Sequence, residues 1–76
     1  MTAKDPASQP VSIRLNGRDW TVESGLVVAD LLADLDAAPE HVVVEVNGEI
    51  LSSEQQESWV LQPGAEVELV RFVGGG

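Results

Sequence analysis

The stretch Val11-Ser12-Ile13-Arg14-Leu15-Asn16-Gly17-Arg18-Asp19-Trp20-Thr21-Val22 decides the fold. Val11, Ile13 and Leu15 alternate with Ser12, Arg14 and Asn16, the period of two that marks a half-buried strand. Asn16-Gly17 is a favoured two-residue turn, because both central positions need φ > 0. That turn sets a register: Leu15 opposite Arg18, Ile13 opposite Trp20, Val11 opposite Val22. Paired residues share a face, so the register alone assembles one apolar side.

Upstream, residues 1–10 are small, polar and punctuated by Pro6 and Pro10, and are expected to be a disordered leader. Downstream, Ser24-Gly25 breaks the second strand. Val28, Leu31, Leu32 and Leu35 then fall at i, i+3, i+4 and i+7, one helical stripe, with Asp30 and Asp34 facing water. Leu26 and Val27 stand where a capping Ser or Thr would help, so packing must hold this helix. Ala37-Ala38-Pro39 is expected to end it. Val42-Val43-Val44-Glu45-Val46 reads as a strand, closed by a second turn pair, Asn47-Gly48, and continued briefly by Glu49-Ile50-Leu51. Ser52 or Ser53 can cap one short helical turn before Trp59. Gln62-Pro63-Gly64 is a turn, and residues 65–73 form the last strand.

The order is hairpin, helix, strand, short turns, strand. That is an α+β pattern, with one main helix across one face of a mixed sheet of four to five strands. A β-grasp arrangement fits it, with the first and last strands adjacent at the centre. The expected core is Val11, Ile13, Leu15, Val28, Leu31, Leu32, Leu35, Val44, Val46, Val67 and Leu69. Both tryptophans are expected to pack in or near it.

At 76 residues the chain is one small domain, burying only about 60% of its unfolded surface. There are no cysteines, which excludes disulfide staples, thiolate metal sites and thiol nucleophiles. Thirteen acids against four bases give a formal net charge of -9. The acids are scattered, as on a solvated surface. Nucleic acid is not expected as a partner, because phosphates would be repelled; a partner with a basic face suits this charge. No apolar run reaches membrane-spanning length and no signal-peptide pattern opens the chain, so a cytoplasmic location is expected.

No constellation in the sequence carries catalysis. The many carboxylates lack the cleft that would desolvate a pair. His41 alone builds no metal site. Ser52 and Ser53 have neither a general base in reach nor a nucleophile-elbow context. The glycine run lacks the Lys-Ser/Thr of a phosphate loop. The chain is therefore expected to have no active site of its own.

What remains is the end, Arg71-Phe72-Val73-Gly74-Gly75-Gly76. Alternation puts Val67, Leu69 and Arg71 on one face and Glu66, Glu68, Val70 and Phe72 on the other. With one helix covering one face, Val70 and Phe72 either lie open beside the tail as a docking surface or are buried by a twist of the strand. Without Cβ atoms, Gly74, Gly75 and Gly76 make a narrow, flexible tail that can thread a tight cleft and present a carboxylate.

Taken together, the Asn16-Gly17 hairpin, Val28-Ala29-Asp30-Leu31-Leu32, Val44-Glu45-Val46-Asn47-Gly48-Glu49-Ile50-Leu51, Ser53-Glu54, Trp59, Gly64-Ala65-Glu66-Val67-Glu68 and the Val70-Arg71-Phe72-Val73-Gly74-Gly75-Gly76 ending resemble one family. It is that of the sulfur carrier proteins of thiamine biosynthesis (ThiS), of the ubiquitin-like β-grasp class. The middle motifs are shared loosely with other β-grasp proteins; the ending is more specific. The leader is longer than usual, and Val27 stands where a capping Thr is common.

The resemblance implies a leader at 1–10, a β-grasp domain at 11–73 and a tail at 74–76. It implies that an E1-like adenylating enzyme uses ATP and Mg²⁺ to activate the Gly76 carboxylate, the carrier itself holding no cofactor. Sulfur then comes from a persulfide donor fed by a cysteine desulfurase. The resulting thiocarboxylate supplies thiazole synthase. Val70, Arg71, Phe72 and Val73 are the expected docking residues, and the carrier alone is expected to be a monomer. Molybdopterin, tRNA-thiolation and cysteine-biosynthesis carriers share this chemistry and fold. A ubiquitin-like protein modifier, which would form an isopeptide, and a plain interaction domain are the alternatives of another class.

Overall fold

Both Asn-Gly pairs form the turns their composition demands. Asn16 and Gly17 have φ of 51° and 81°, and Asn47 and Gly48 have φ of 52° and 84°, the paired positive values of a type I′ hairpin. The computed structural model of the chain describes residues 9–71. The first turn joins β1 (Pro10–Leu15) to β2 (Arg18–Glu23) with the register read from the sequence: Leu15↔Arg18, Ile13↔Trp20, Val11↔Val22. β1 thus starts one residue ahead of Val11, and the Gln9 carbonyl accepts from Ser24 N–H at 3.0 Å.

The helix α1 (Val28–Asp34) starts on Val27 with no side-chain cap. Neighbouring backbone replaces the cap. Val28 N–H donates to the Trp59 carbonyl at 3.0 Å, and Leu61 N–H donates to the Leu26 carbonyl at 2.9 Å, so the segment around Val60 clamps the helix entrance. The exit lies earlier than the Ala37-Ala38-Pro39 boundary expected from proline. Asp36 takes φ of 57°, with Asp36 N–H on the Ala33 carbonyl and Ala37 N–H on the Leu32 carbonyl. Those two bonds form a Schellman stop, here with Asp where Gly is usual.

A 3-10 turn, Pro39–His41, leads into β3 (Val42–Val46), and β4 (Glu49–Ile50) follows the second Asn-Gly turn. α2 (Ser53–Gln56) is one turn held by a capping box. Ser52 Oγ accepts from Gln55 N–H at 3.1 Å, and Gln55 Oε1 accepts from Ser52 N–H at 2.8 Å. At Gln62-Pro63-Gly64, Ala65 N–H closes back on the Gln62 carbonyl and Gly64 has φ of 82°. β5 (Glu66–Arg71) comes last.

The sheet order is β2-β1-β5-β3-β4. β5 runs parallel to β1 and antiparallel to β3, so the last strand in sequence lies at the centre, as the β-grasp reading expected. α1 covers one face, over a core of Ile13, Leu15, Val28, Leu31, Leu32, Val44, Val46 and Val67. Three expected core residues, Val11, Leu35 and Leu69, are only partly buried and sit on its margin. Val22, Val42, Leu51, Leu61, Ala37 and Ala65 join the core beyond the expected set. Trp59 packs against the core, and Trp20, expected in or near it, lies at its edge beside Leu15 and Leu35, 40% exposed.

Trp20 is uncovered because β2 is an edge strand, with a neighbouring strand on one side only; the open end of the sheet has a different cause, one of length. The seven residues of α1 span about 10 Å; the six of β5 span about 20 Å. The helix cannot roof the whole sheet, and the end carrying Leu69 and Arg71 is left open.

Candidate tail-presenting site

Of the seven residues singled out at the chain's end, Val70 and Arg71 are in the described region. Phe72, Val73, Gly74, Gly75 and Gly76 lie outside it, as do residues 1–8 of the expected leader. Whether Phe72 is docking surface or core therefore falls outside the described residues. What precedes the glycines is bonded on both flanks. On one side β5 pairs with β3 from Val46↔Val67 out to Val42↔Arg71. On the other, β1 supplies only Arg14↔Glu66 and Leu15↔Val67 before it turns away.

The Asn-Gly turns make up the difference. Asn16 N–H donates to the Val67 carbonyl at 2.8 Å, and Asn16 Oδ1 accepts from Leu69 N–H at 2.8 Å. From the opposite flank, Asn47 N–H donates to the Glu66 carbonyl at 2.8 Å while its Oδ1 accepts from Glu66 N–H at 3.0 Å. One hairpin turn therefore grips each side of β5. Sequence reading found both turns but not this second use of their side chains.

On the sheet face away from α1, Val70 is 54% exposed, as alternation required. It pairs with half-buried Val43. Ile50, 63% exposed, sits opposite Glu45 on the same face. Val43 and Ile50 were not among the expected docking residues, yet their position follows from the same parity. Below them Glu45 faces Glu68 across the β3–β5 ladder, with Glu66 nearby. Like charges set opposite each other destabilise a ladder, so this face carries an electrostatic cost in the free protein. Across the sheet, the Arg14 guanidinium lies 3.9 Å from Asp19 and donates to the Gly17 carbonyl at 2.7 Å.

Among the described residues no group of three or more His, Cys, Asp or Glu side chains could hold a metal, and no helix is long and apolar enough to cross a membrane. His41 is exposed, in the 3-10 turn.

A sequence model of the ThiS family matches residues 12–76, which takes in the hairpin, the helix, the gripped strand and the three glycines. The chain belongs to the ThiS family. The Bacillus subtilis protein named "Sulfur carrier protein ThiS" is 38% identical over 66 residues, covering 84% of this chain and 98% of that one. A "Thiazole synthase" of Magnetococcus marinus is 39% identical over 66 residues. The match takes in 87% of this chain, which spans only 20% of that longer protein. Among solved structures, the crystal structure of a thiamine biosynthesis protein (ThiS) from Geobacter metallireducens superposes with a TM-score of 0.73 at 38% identity. It covers 87% of this chain and 100% of its own. The ubiquitin-like β-grasp fold is thus common to the chain and its ThiS relative, in a family of small sulfur carriers rather than catalysts.

Proposed function

We propose that this chain carries sulfur for thiazole formation in thiamine biosynthesis, on the carboxyl group of Gly76. The observation that carries this reading is the anchoring of β5. A strand gripped on both sides holds a fixed direction, and the three glycines that follow it in sequence have no side chains to obstruct a channel. The body is a rigid handle and the tail is the working part.

A carboxylate is a poor electrophile, so an E1-like adenylating partner joins it to the α-phosphate of ATP, with Mg²⁺, and releases pyrophosphate. The terminal sulfur of a donor persulfide, supplied through a cysteine desulfurase, then attacks the acyl carbon and expels AMP. A second thiol cleaves the S–S bond, is itself oxidised to a disulfide, and leaves a thiocarboxylate on Gly76. With no cysteine in the chain, no internal thiol competes for the activated acyl group. ATP and Mg²⁺ belong to the partner's site, not to this chain.

Thiazole synthase is the proposed acceptor. The Magnetococcus marinus protein of that name contains a segment similar to this chain, which supports thiazole synthase as the partner. The test is ATP–pyrophosphate exchange with the activating enzyme, followed by intact mass. Replacement of one carboxyl oxygen by sulfur is expected, and transfer of that sulfur to thiazole synthase. Full sulfuration of a variant extended by one residue after Gly76, without trimming, refutes it. An isopeptide to a lysine in place of sulfur transfer makes the chain a modifier.

A further inference from the structure

The end of the sheet that α1 fails to roof is a groove of about 640 Å³, lined by Leu15, Trp20, Leu35, Leu69 and the two arginines Arg18 and Arg71. Register puts the strand residues among these on the helix face: Arg18 opposite buried Leu15, Trp20 opposite buried Ile13, and Leu69 and Arg71 in phase with buried Val67. Val70, which follows Leu69 in β5, points to the other face. The groove is therefore a second surface, separate from the Val43–Val70–Ile50 patch, and it borders the same strand end.

Charge is what distinguishes it. The chain has four basic residues in all, Lys4, Arg14, Arg18 and Arg71, against thirteen acids. Arg14 is engaged with Asp19 and the Gly17 carbonyl. Among the described residues, neither Arg18 nor Arg71 has a carboxylate within 4.0 Å. Half of the cations of a strongly acidic chain thus line one apolar cleft with no carboxylate partner among the described residues. Exposed Trp and Arg together are also the residues most enriched where binding energy concentrates.

Resting on the carrier reading above, we propose that this groove is the docking site of an enzyme that takes up the tail, through a segment that inserts an apolar side chain flanked by carboxylates. The inserted side chain packs on Trp20, Leu35 and Leu69. The carboxylates pair with Arg18 and Arg71, the guanidinium forks favouring bidentate contact. The open face of the sheet, with Glu45, Glu66 and Glu68, asks for basic partner groups. The two faces of β5 thus demand opposite charge, and a partner that clasps the strand end from both sides is fixed in rotation about the tail.

The experiment is calorimetric titration of the full chain, wild type and variants, with two purified proteins of the same organism, the adenylating enzyme and the thiazole synthase. Arg18→Glu should weaken at least one complex by about tenfold or more, since a like charge then faces the partner's carboxylates. Trp20→Ala should weaken the same complex, and the Trp20 indole N–H resonance of the wild type should shift on binding. A thermal melt of each variant separates lost binding from lost folding, and the indole shift needs no variant at all. Unchanged affinity of Arg18→Glu for both enzymes, with no indole shift, overturns the groove while leaving the carrier intact. Binding of neither enzyme by wild type, with no sulfuration, overturns the carrier reading and the groove with it. A groove filled by residues 72–76, seen as glycine shifts in free Arg18→Glu, or by a second copy, seen as a dimer in sedimentation, also overturns it.

Discussion

Asn16 Oδ1 accepts a hydrogen bond from the backbone N–H of Leu69 at 2.8 Å, across 53 positions of sequence. The contact takes over where the β1 ladder stops, at the point where β5 would otherwise have an unpaired donor. Asn16→Gly keeps the positive φ but loses the acceptor, and should cost about 1 kcal/mol in chemical denaturation. Asn16→Asp keeps both and should stay close to wild type. Amide exchange at Leu69 should quicken in the glycine variant and not in the aspartate one. Equal stability and equal Leu69 exchange in the two would show that the turn backbone alone holds the strand.

Asp36 ends α1 in a left-handed conformation, φ of 57°, that a Cβ disfavours. Asp36→Gly removes the penalty while preserving the Schellman bonds to Ala33 and Leu32. The variant should be more stable by about 0.5–1 kcal/mol, read as a raised Tm. A lowered Tm would mean that the aspartate side chain contributes more than its backbone strain costs.

Leu31 is 1% exposed, in the middle of the helix–sheet interface. Leu31→Ala should cost about 2–5 kcal/mol, a large part of what holds so small a domain. Urea titration followed by tryptophan fluorescence gives the value. A loss well under 1 kcal/mol would mean that the sheet survives without the helix packed on it.

Val70 is 54% exposed on the open sheet face. Val70→Ala should therefore change folding stability by no more than about 0.5 kcal/mol. It should weaken the complex with the adenylating enzyme or thiazole synthase by about fivefold, measured by titration calorimetry. Wild-type affinity for both would move the interface off this face.

Gly75→Ala should slow thiocarboxylate formation and leave the Tm unaltered, because a methyl group there narrows the tail's passage and disfavours positive φ. Stopped-time intact mass spectrometry with the adenylating enzyme follows the rate. An unchanged rate would mean that the channel tolerates a side chain at that position.

The hairpins and the sheet order were legible because their signals are local and redundant. Asn16-Gly17 sets a turn and a register at once, and the alternation of Val11, Ile13 and Leu15 agrees with both. The helix exit was misplaced because Asp36 gives no sign of its left-handed backbone, a place where Gly or Asn would have announced itself. Trp20 was expected in or near the core, and its pairing with Ile13 does put it on the helix face, but that pairing says nothing of its place on the edge strand β2. Val43 and Ile50 were within reach of parity, and were overlooked because Val42-Val43-Val44 reads as an unbroken apolar run rather than as alternate faces. The side-chain bonds of Asn16 and Asn47 to β5 join residues far apart in sequence, and no local pattern encodes them.

The central place of β5 has a consequence for how the molecule comes into being. Residues 66–71 must arrive before β1 and β3 have anything to share, since β5 stands between them. While the chain is being synthesised, the two hairpins and the helix can form, but the sheet stays split until these residues emerge. A chain broken off before Glu66 leaves two ribbons with unpaired inner edges and neither docking face. Assembly of the handle is thereby reserved for chains whose synthesis has already come within reach of the glycines it serves.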